Sequence, residues 1–382
     1  MRVPLSAVAL ALMAGAALAA EGWQWSIPDW LPPPPVPDDN PMTAEKVELG
    51  RHLFHDARLS ADGTVACASC HVQAMGFADG RAVGIGVDGT EGQRNAPGLA
   101  NVGYLPVLTW GNPMIDSLER HVLIPMFGTA PVEMGAAGME AALFDRLAAD
   151  PFYAEAFPAA FPDRPAPDLY TVTRALAAFQ RTMISAGSPY DRFAYEGDLD
   201  ALSASARRGQ DLFFGERLEC YHCHGGFNFT DNLETSRMKM AETGFHNTGV
   251  HEVIREGGEG IAAFTLREAD LGRFRTPSLR NVAVTAPYMH DGSMATLSEV
   301  LDAYANGGRH PDVAQKDPLV AGFDLSVAEK ADVIAFLESL TDEDFLSDPA
   351  LSDPWPAGHP AVAQRVMPCG DAGACGAPEP GG

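Results

Sequence analysis

Two short stretches decide how this chain is organised: CASCH at residues 67–71 and CYHCH at residues 220–224. Each is a Cys-x-x-Cys-His unit. Cys-x-x-Cys alone is compatible with a thioredoxin-like redox pair, half of a zinc site, a structural disulfide or the attachment of a c-type haem. A histidine directly after the second cysteine favours the haem, because two thiols form thioethers with the haem vinyl groups while the imidazole binds the iron. A redox pair does not need that histidine, and zinc would require further ligands close by.

The two units therefore predict two covalently bound haems, each with its own histidine ligand. The first haem is assigned to Cys67, Cys70 and His71, and the second to Cys220, Cys223 and His224.

The segments before the two units resemble each other. ELGRHLFHDARLS precedes the first and RRGQDLFFGERLE the second, and both contain Gly-x-x-Leu-Phe in a helical pattern. This partial repeat predicts two similar modules, each with a helix leading into its Cys-His unit. The predicted fold class is mainly α, with two cytochrome c-like haem domains, long loops and little β. The predicted domains are residues 41–195 for haem 1 and the peroxide site, and 196–346 for haem 2 and electron transfer.

Helical patterns recur at 139–149, 168–186, 296–305 and 326–340. Ser203 is expected to cap the helix that leads into the second unit, and Ser326 and Glu329 form a capping box for the last helix. That helix is predicted to turn an apolar face inward, formed by Val327, Val333, Ile334, Leu337 and Leu340.

The two ends of the chain have distinct compositions. Residues 1–19 resemble a secretory signal peptide cleaved near Ala19, which places the mature protein in the periplasm of a Gram-negative source. A proline-rich arm at 20–40 should be ordered or semi-rigid, and the Pro- and Gly-rich residues 347–382 read as a poorly ordered tail. Cys369 and Cys375 lack a following histidine, so a disulfide in an oxidising compartment is the favoured interpretation.

The charge of the chain restricts its partners. Acidic residues outnumber basic ones by 51 to 26, a formal charge of −25. Such a surface argues against nucleic acid and anionic membranes as partners. No stretch after the signal is long and apolar enough to predict a membrane span.

Several motifs resemble the bacterial di-haem cytochrome c peroxidase and MauG superfamily over residues 40–345. These motifs are RLSADGTVACASCH, GFADGR, GQRNAPGLANVGY, PVEMG, RFRTPSLRNVAVTAPYMHDGSMATLSEV and FLESLTD. Further stretches are similar to its methanobactin-associated di-haem branch (MbnH): WQWSIPDWLPPPP, VELGRHLF, PVLTWGNP, IPMFG and ERLECYHCHGGFNF.

The resemblance implies how each iron is completed. Ordinary members place a distal histidine for haem 1 after its attachment unit, but no histidine occurs between His71 and Trp110, so this sixth position is expected to be open. Met75 lies in the same stretch and is expected to pack rather than ligate. Fourteen residues after His290, where the ordinary peroxidases have a methionine ligand for haem 2, this chain has Tyr304, as MauG-like enzymes do. Without the resemblance, Tyr304 would be read as a core tyrosine.

The resemblance also assigns candidate catalytic residues. Trp110 matches the tryptophan between the two haems, where an indole can relay charge, although its residue type alone indicates only a core position. Glu133 matches the distal acid and base, and Pro125 a distal-pocket proline. His121 stands where relatives usually have glutamine; it could hydrogen-bond peroxide, act as a second base, ligate the iron or only form the pocket wall.

Asn95, Thr285 and Pro287 match positions that hold a calcium ion between the haem domains, but each also suits an ordinary turn.

One departure from the family concerns the exit of electrons. MauG has a surface tryptophan two residues before the second unit, where this chain has Leu218. Tyr221 is a speculative replacement.

Three functions follow. The leading one is a periplasmic di-haem oxidase in which hydrogen peroxide forms a shared high-valent di-iron(IV) state. Electrons are then drawn over long range from a residue, expected to be tryptophan converted to kynurenine, of a partner protein, with a periplasmic copper-binding protein as the candidate. The second is a cytochrome c peroxidase fed by a small cytochrome. The third is an electron-transfer cytochrome, which would need both irons six-coordinate.

Overall fold

A computed structural model describes residues 23–252 and 257–367 of the chain. In these ranges α-helices joined by long loops dominate, and sheet is limited to two antiparallel pairs of short strands, β1 with β2 and β3 with β4. The helices are α1 Ala44–Phe54, α2 Cys67–Cys70, α3 Leu118–His121, α4 Leu123–Phe127, α5 Glu140–Ala148, α6 Pro151–Ala160, α7 Leu169–Arg181, α8 Pro189–Tyr195, α9 Ala204–Phe213, α10 Ala262–Thr265, α11 Leu297–Ala305, α12 Val327–Glu338 and α13 Glu343–Ser347. The strands are β1 Asn232–Leu233, β2 Glu242–Thr243, β3 Phe245–His246 and β4 Phe274–Arg275. The mainly α fold class is confirmed.

Each Gly-x-x-Leu-Phe segment lies on a helix that crosses a second helix. α1 carries the first segment and packs along α7, and α9 carries the second and packs along α12. Leu53, Phe54 and Phe213 turn into the core at these crossings and are almost fully buried. The sequence repeat is therefore a repeat of one helix-pair geometry.

Two hydrophobic cores accompany the two helix pairs. The first joins residues from Leu49 to Met183 with Phe345 and Leu351, and the second runs from Tyr190 to Leu340. Two modules would produce this arrangement, although the division between residues 195 and 196 stays a prediction. Phe345 and Leu351, which follow Leu340 in the chain, return to the first core.

The predicted helices form with shifted ends. The caps are confirmed: the Ser203 hydroxyl accepts the N–H of Ala206 at 3.0 Å, and Ser326 and Glu329 form the capping box. α7 ends at Arg181 rather than at 186, because the next residues turn so that the N–H groups of Ala186 and Gly187 each reach an Asp342 carboxylate oxygen at 2.9 Å. Val327 is not on the inward face; it is 87% exposed at the first position of α12.

Both ends of the described part of the chain pack on the body of the molecule. In the arm, Leu31 is buried and the Tyr104 hydroxyl donates to the carbonyl of Pro32 at 2.8 Å. The expectation of a poorly ordered tail is wrong for residues 347–367, because the Trp355 indole donates to the carbonyl of His52 at 3.0 Å and Ala361 is fully buried. The signal peptide with Ala19, together with Cys369 and Cys375, lies outside the described residues.

No helix among the described residues is both long enough and apolar enough to cross a bilayer.

Candidate functional site

The two Cys-His units fold into short helical turns that end at their histidines. The N–H of His71 donates to the carbonyl of Cys67 at 3.0 Å, and that of His224 to the carbonyl of Cys220 at 2.8 Å. The Nδ1 atoms of the two histidines lie 2.7 and 2.9 Å from the backbone carbonyls of Phe77 and Phe229. Because a carbonyl only accepts, Nδ1 carries the proton in each ring and the Nε2 lone pair is left for a metal.

The chemistry of the four cysteines fits covalent haem attachment. In the described part of the chain no disulfide joins these four cysteines, so each sulfur is available to form a thioether. Burial raises the pKa of Cys67, Cys70 and Cys220 to about 12, so these sulfurs are protonated at neutral pH and lack the low pKa of a thioredoxin-like nucleophile. Paired thiols beside an imidazole fixed in the Nδ1–H form are the donor set that a c-type haem needs.

Glu133 lies beside the first attachment unit. Its charge contributes to the raised pKa of the Cys67 and Cys70 thiols, and burial raises the pKa of its own carboxyl. The loop that carries it is held from two sides: the Glu133 carbonyl accepts the N–H of Val87 at 2.7 Å, and the Pro125 carbonyl accepts the N–H of Met134 at 2.9 Å. Pro125 and the loop of Glu133 are thus neighbours, and their place in a distal pocket stays a prediction.

His121, at the end of α3, lies close to His71 of the first attachment unit and to Arg275. Burial, together with the nearby His71 and Arg275, lowers its pKa to about 4. The imidazole is therefore neutral near pH 7, and a neutral ring can both donate and accept a hydrogen bond.

Tyr304 lies on α11 and faces a cavity that Cys220, Cys223 and His224 also line. Burial, and then the neighbouring Cys223 and Cys220, raise its pKa above the ordinary phenol value. The tyrosine and the second attachment unit thus share one enclosed space, which is the arrangement that a haem held from both faces requires.

Trp110 lines the same cavity, and its indole N–H donates to the carbonyl of Asn95 at 2.8 Å. Arg275, which the sequence analysis did not single out, places its guanidinium 5.6 Å from the centre of the Trp110 ring. Its backbone N–H also donates to the Trp110 carbonyl at 2.8 Å. The only signal in the sequence is the position of Arg275 within RFRTPSLRN.

Arg275 is a buried cation, and burial lowers its pKa to about 10. Its guanidinium donates to the carbonyls of Thr109 and Thr276, and no carboxylate pairs with it in the described part of the chain. A buried unpaired cation is costly, so an anionic group of a bound haem, such as a propionate, suits this position.

Asn95, Thr285 and Pro287 line the cavity as well, which gathers the three residues of the predicted calcium site. The Asn95 side-chain N–H donates to the carbonyl of Arg81 at 2.8 Å. The ion itself stays a prediction.

The structure also places Leu218, Tyr221 and Met75, which the sequence indicated as residues of interest. Leu218 is buried in the second core, so the position of the MauG surface tryptophan does not face solvent here. Tyr221 is half-buried, with its ring 4.4 Å from that of His222. Met75 packs toward Gly80, where an added Cβ would lie 2.5 Å from its terminal methyl.

This chain is similar to known proteins over most of its length. The model of the family described as di-haem cytochrome c peroxidase matches residues 44–200. The methylamine utilization protein MauG of Methylorubrum extorquens is 39% identical over 312 residues, which covers 81% of this chain and 82% of that protein. The cytochrome-c peroxidase IdrP1 of Denitromonas iodatirespirans is 37% identical over 372 residues, covering 91% and 94%.

A solved structure, that of a MauG-like protein associated with microbial copper homeostasis, is 45% identical, with a TM-score of 0.83, and covers 87% of this chain and all of the other. Relatives of this identity and coverage carry two haems, and they are haem-dependent oxidoreductases. The chain therefore belongs to the di-haem cytochrome c peroxidase family, within its MauG-like branch.

Proposed function

We propose that this protein is a periplasmic oxidase that uses hydrogen peroxide to oxidise a residue of a partner protein, with conversion of tryptophan to kynurenine as the expected outcome. The observation that carries the proposal is Tyr304, which faces the cavity lined by Cys220, Cys223 and His224. A phenolate oxygen in the place of a methionine sulfur should favour the oxidised states of haem 2. The relative linked to copper homeostasis supports a copper-binding partner.

The chain's own residues have distinct roles in this reaction. The bound haems supply the redox chemistry. Glu133 takes the proton from peroxide and returns it to the leaving oxygen, which its buried position beside the first unit supports. The neutral His121 can hold the peroxide by hydrogen bonding. Trp110, which the resemblance places between the two haems, is the proposed charge relay. Each peroxide takes up two electrons and two protons and leaves as two water molecules.

The proposal is tested by mixing the diferric holoprotein with one equivalent of hydrogen peroxide in a stopped-flow spectrometer. An immediate absorption change at both haems without prior reduction is expected. A reaction that begins only after one haem is reduced would contradict the proposal. Mass spectrometry of a periplasmic copper-binding protein treated with the enzyme and peroxide then tests whether a tryptophan becomes kynurenine.

Cytochrome c peroxidase activity is the second candidate, since the relative covering most of this chain at 37% identity is called a peroxidase. Rapid peroxide-dependent oxidation of a reduced c-type cytochrome, with the partner protein unmodified, would favour it. The electron-transfer cytochrome requires both irons to be six-coordinate, most simply with His121 as a ligand of haem 1, and a purely low-spin ferric spectrum would indicate that.

A further inference from the structure

We infer that His251, His290 and Asp291 form a binding site for a first-row transition-metal ion at the edge of the cavity near Trp110. One ligand atom from each residue lies within 4.8 Å of the others. A common ion about 2.1 Å from each ligand holds them about 3–4 Å apart, so small side-chain rotations would close the site. The three residues are separate from the predicted haem ligands and from the predicted calcium ligands.

His290 is the buried member of the site, with 7% of its surface exposed. Its ring stacks on Phe274 with the ring centres 3.7 Å apart, and its backbone carbonyl accepts the N–H of Asn95 at 3.0 Å. Within the described ranges neither ring nitrogen has a hydrogen-bond partner. These nitrogens are not sealed in the protein interior: His290 lines the cavity, so its imidazole lone pair is accessible to a metal ion.

His251 and Asp291 complete the site from its outer side. The Nε2 atom of His251 lies 2.9 Å from a carboxylate oxygen of Asp291, and the His251 side chain is 39% exposed. The second Asp291 oxygen accepts the N–H of Ser293 at 3.1 Å, which orients the carboxylate. A metal ion can replace the proton between imidazole and carboxylate, and it can enter from solvent through His251.

The nearby charges permit a cation. The Arg94 guanidinium lies 5.1 Å from the centre of the Phe274 ring, and the charges of Glu259 and Asp291 act on it. Two acidic groups are therefore matched by two basic groups, because the Arg309 guanidinium donates to the hydroxyl and carbonyl of Ser293 next to the Asp291 carboxylate. The site lacks the excess of positive charge that would repel a divalent ion.

The ligand set indicates which ion binds. Two imidazoles and one carboxylate suit Zn²⁺, Cu²⁺, Ni²⁺ or Fe²⁺, whereas Ca²⁺ and Mg²⁺ prefer oxygen ligands alone. Affinity at such nitrogen and oxygen sites rises toward copper along the Irving–Williams order, so Cu²⁺ should bind most tightly. The site is also two hydrogen bonds from the inter-haem tryptophan, through the Asn95 backbone.

The test uses the full holoprotein with both haems bound, stripped of loose metal with a chelator. Isothermal titration with Zn²⁺, and competition titration with Cu²⁺, should each show one saturable equivalent. His251→Ala and Asp291→Asn should weaken binding by about 100-fold or more, since even outer-shell changes at metal sites cost about 10–100-fold. Haem content and thermal unfolding show whether each variant is folded.

His310→Ala is the matched control, because His310 lies in the neighbouring loop, with its N–H bonded to the Gly249 carbonyl, but outside the ligand set. Its titration should equal that of the parent protein. The inference is overturned if the parent protein shows no saturable binding, or if binding is unchanged in His251→Ala and Asp291→Asn.

Discussion

The carbonyl oxygen of Asp332 lies 1.9 Å from the point where a Cβ on Gly209 would stand. The same relationship joins Gly50 to the carbonyl oxygen of Ala175, at 2.0 Å. In each half of the chain the first helix thus lies against the backbone of its partner helix at a glycine. The Phe336 and Phe179 Cβ atoms, one turn further along the partner helices, would lie 2.9 and 2.8 Å from the added atoms.

Gly209→Ala should therefore destabilise the second half of the chain. Backbone cannot move aside as the end of a side chain can, so the two helices must separate, and overpacking of this kind costs about 1–3 kcal/mol of unfolding free energy. Thermal unfolding of the holoprotein measures the loss. Asp211→Ala, an exposed change on the same helix, should alter stability by less than about 0.5 kcal/mol. Equal stability of the two variants would contradict the close crossing.

Glu133→Gln should slow the reaction of the diferric protein with peroxide by about 10²–10⁴-fold, because the pocket loses its base. Stopped-flow absorption measures the rate. Burial raises the pKa of Glu133, so the carboxylate is protonated at a higher pH than an ordinary carboxylate. As the pH is lowered, the rate of the parent protein should therefore begin to fall at a higher pH than it would with an ordinary carboxyl as the base. The exposed Glu140→Gln should leave both rate and pH profile unchanged. A parent-like rate in Glu133→Gln would remove this carboxyl from the mechanism.

Tyr304→Phe should raise the reduction potential of haem 2 and change its ferric spectrum toward a five-coordinate, high-spin form, because the proposed phenolate ligand is lost. Spectroelectrochemistry and electron paramagnetic resonance report the two effects. Tyr221→Phe, within the attachment unit but not facing the iron in this proposal, is the control. If Tyr304→Phe keeps the parent spectrum and potential, Tyr304 is only a packing residue.

Trp110→Phe should confine the first spectral change after peroxide to one haem, because the proposed relay between the two sites is interrupted. The same stopped-flow experiment, followed at the two haem absorption bands, measures the delay. Trp355→Phe changes a tryptophan that packs on α1 rather than lining the cavity, so it should leave the timing unchanged. Simultaneous changes at both haems in Trp110→Phe would argue against the relay.

His246 should give a stabilisation that depends on pH. Its ring nitrogens lie 2.7 Å from an Asp231 oxygen and 2.6 Å from an Asp317 oxygen. The hydrogen bond to Asp231, and after it that to Asp317, raises the pKa of His246 well above its ordinary value. The folded-state pKa exceeds the unfolded one, so this stability is full below about pH 6.5 and is lost as the pH rises through the raised pKa.

His246→Gln should accordingly lower the unfolding free energy by about 1–3 kcal/mol at pH 6, and by progressively less as the pH is raised. Thermal unfolding at several pH values measures this difference. His310→Gln is the control for replacement of a histidine in the same half of the molecule. A loss that is the same at every pH would show that His246 acts by packing rather than by its charge.

The sequence by itself determined the chemistry that is local along the chain. A thioether-bound haem needs its two thiols and its imidazole within five consecutive residues, so CASCH and CYHCH could be recognised without a fold. The helical class and the caps at Ser203 and Ser326 followed from short-range patterns for the same reason. Recognition of Tyr304 as a candidate ligand of haem 2 required both its place on a helical face and the resemblance to a family.

Only the tertiary structure decided what depends on residues far apart in the chain. It placed Arg275 over Trp110 and His251 close to His290. Arg275 lies on a two-residue strand and the other three on long loops, and neither carries a periodic pattern that would show these residues meeting. The tertiary structure also ended α7 at Arg181, where backbone N–H groups turn to the distant Asp342, and packed the segment after Ser347 on α1. Composition indicated a loose tail there, but the burial of a few apolar side chains such as Leu351 against the first core outweighs it.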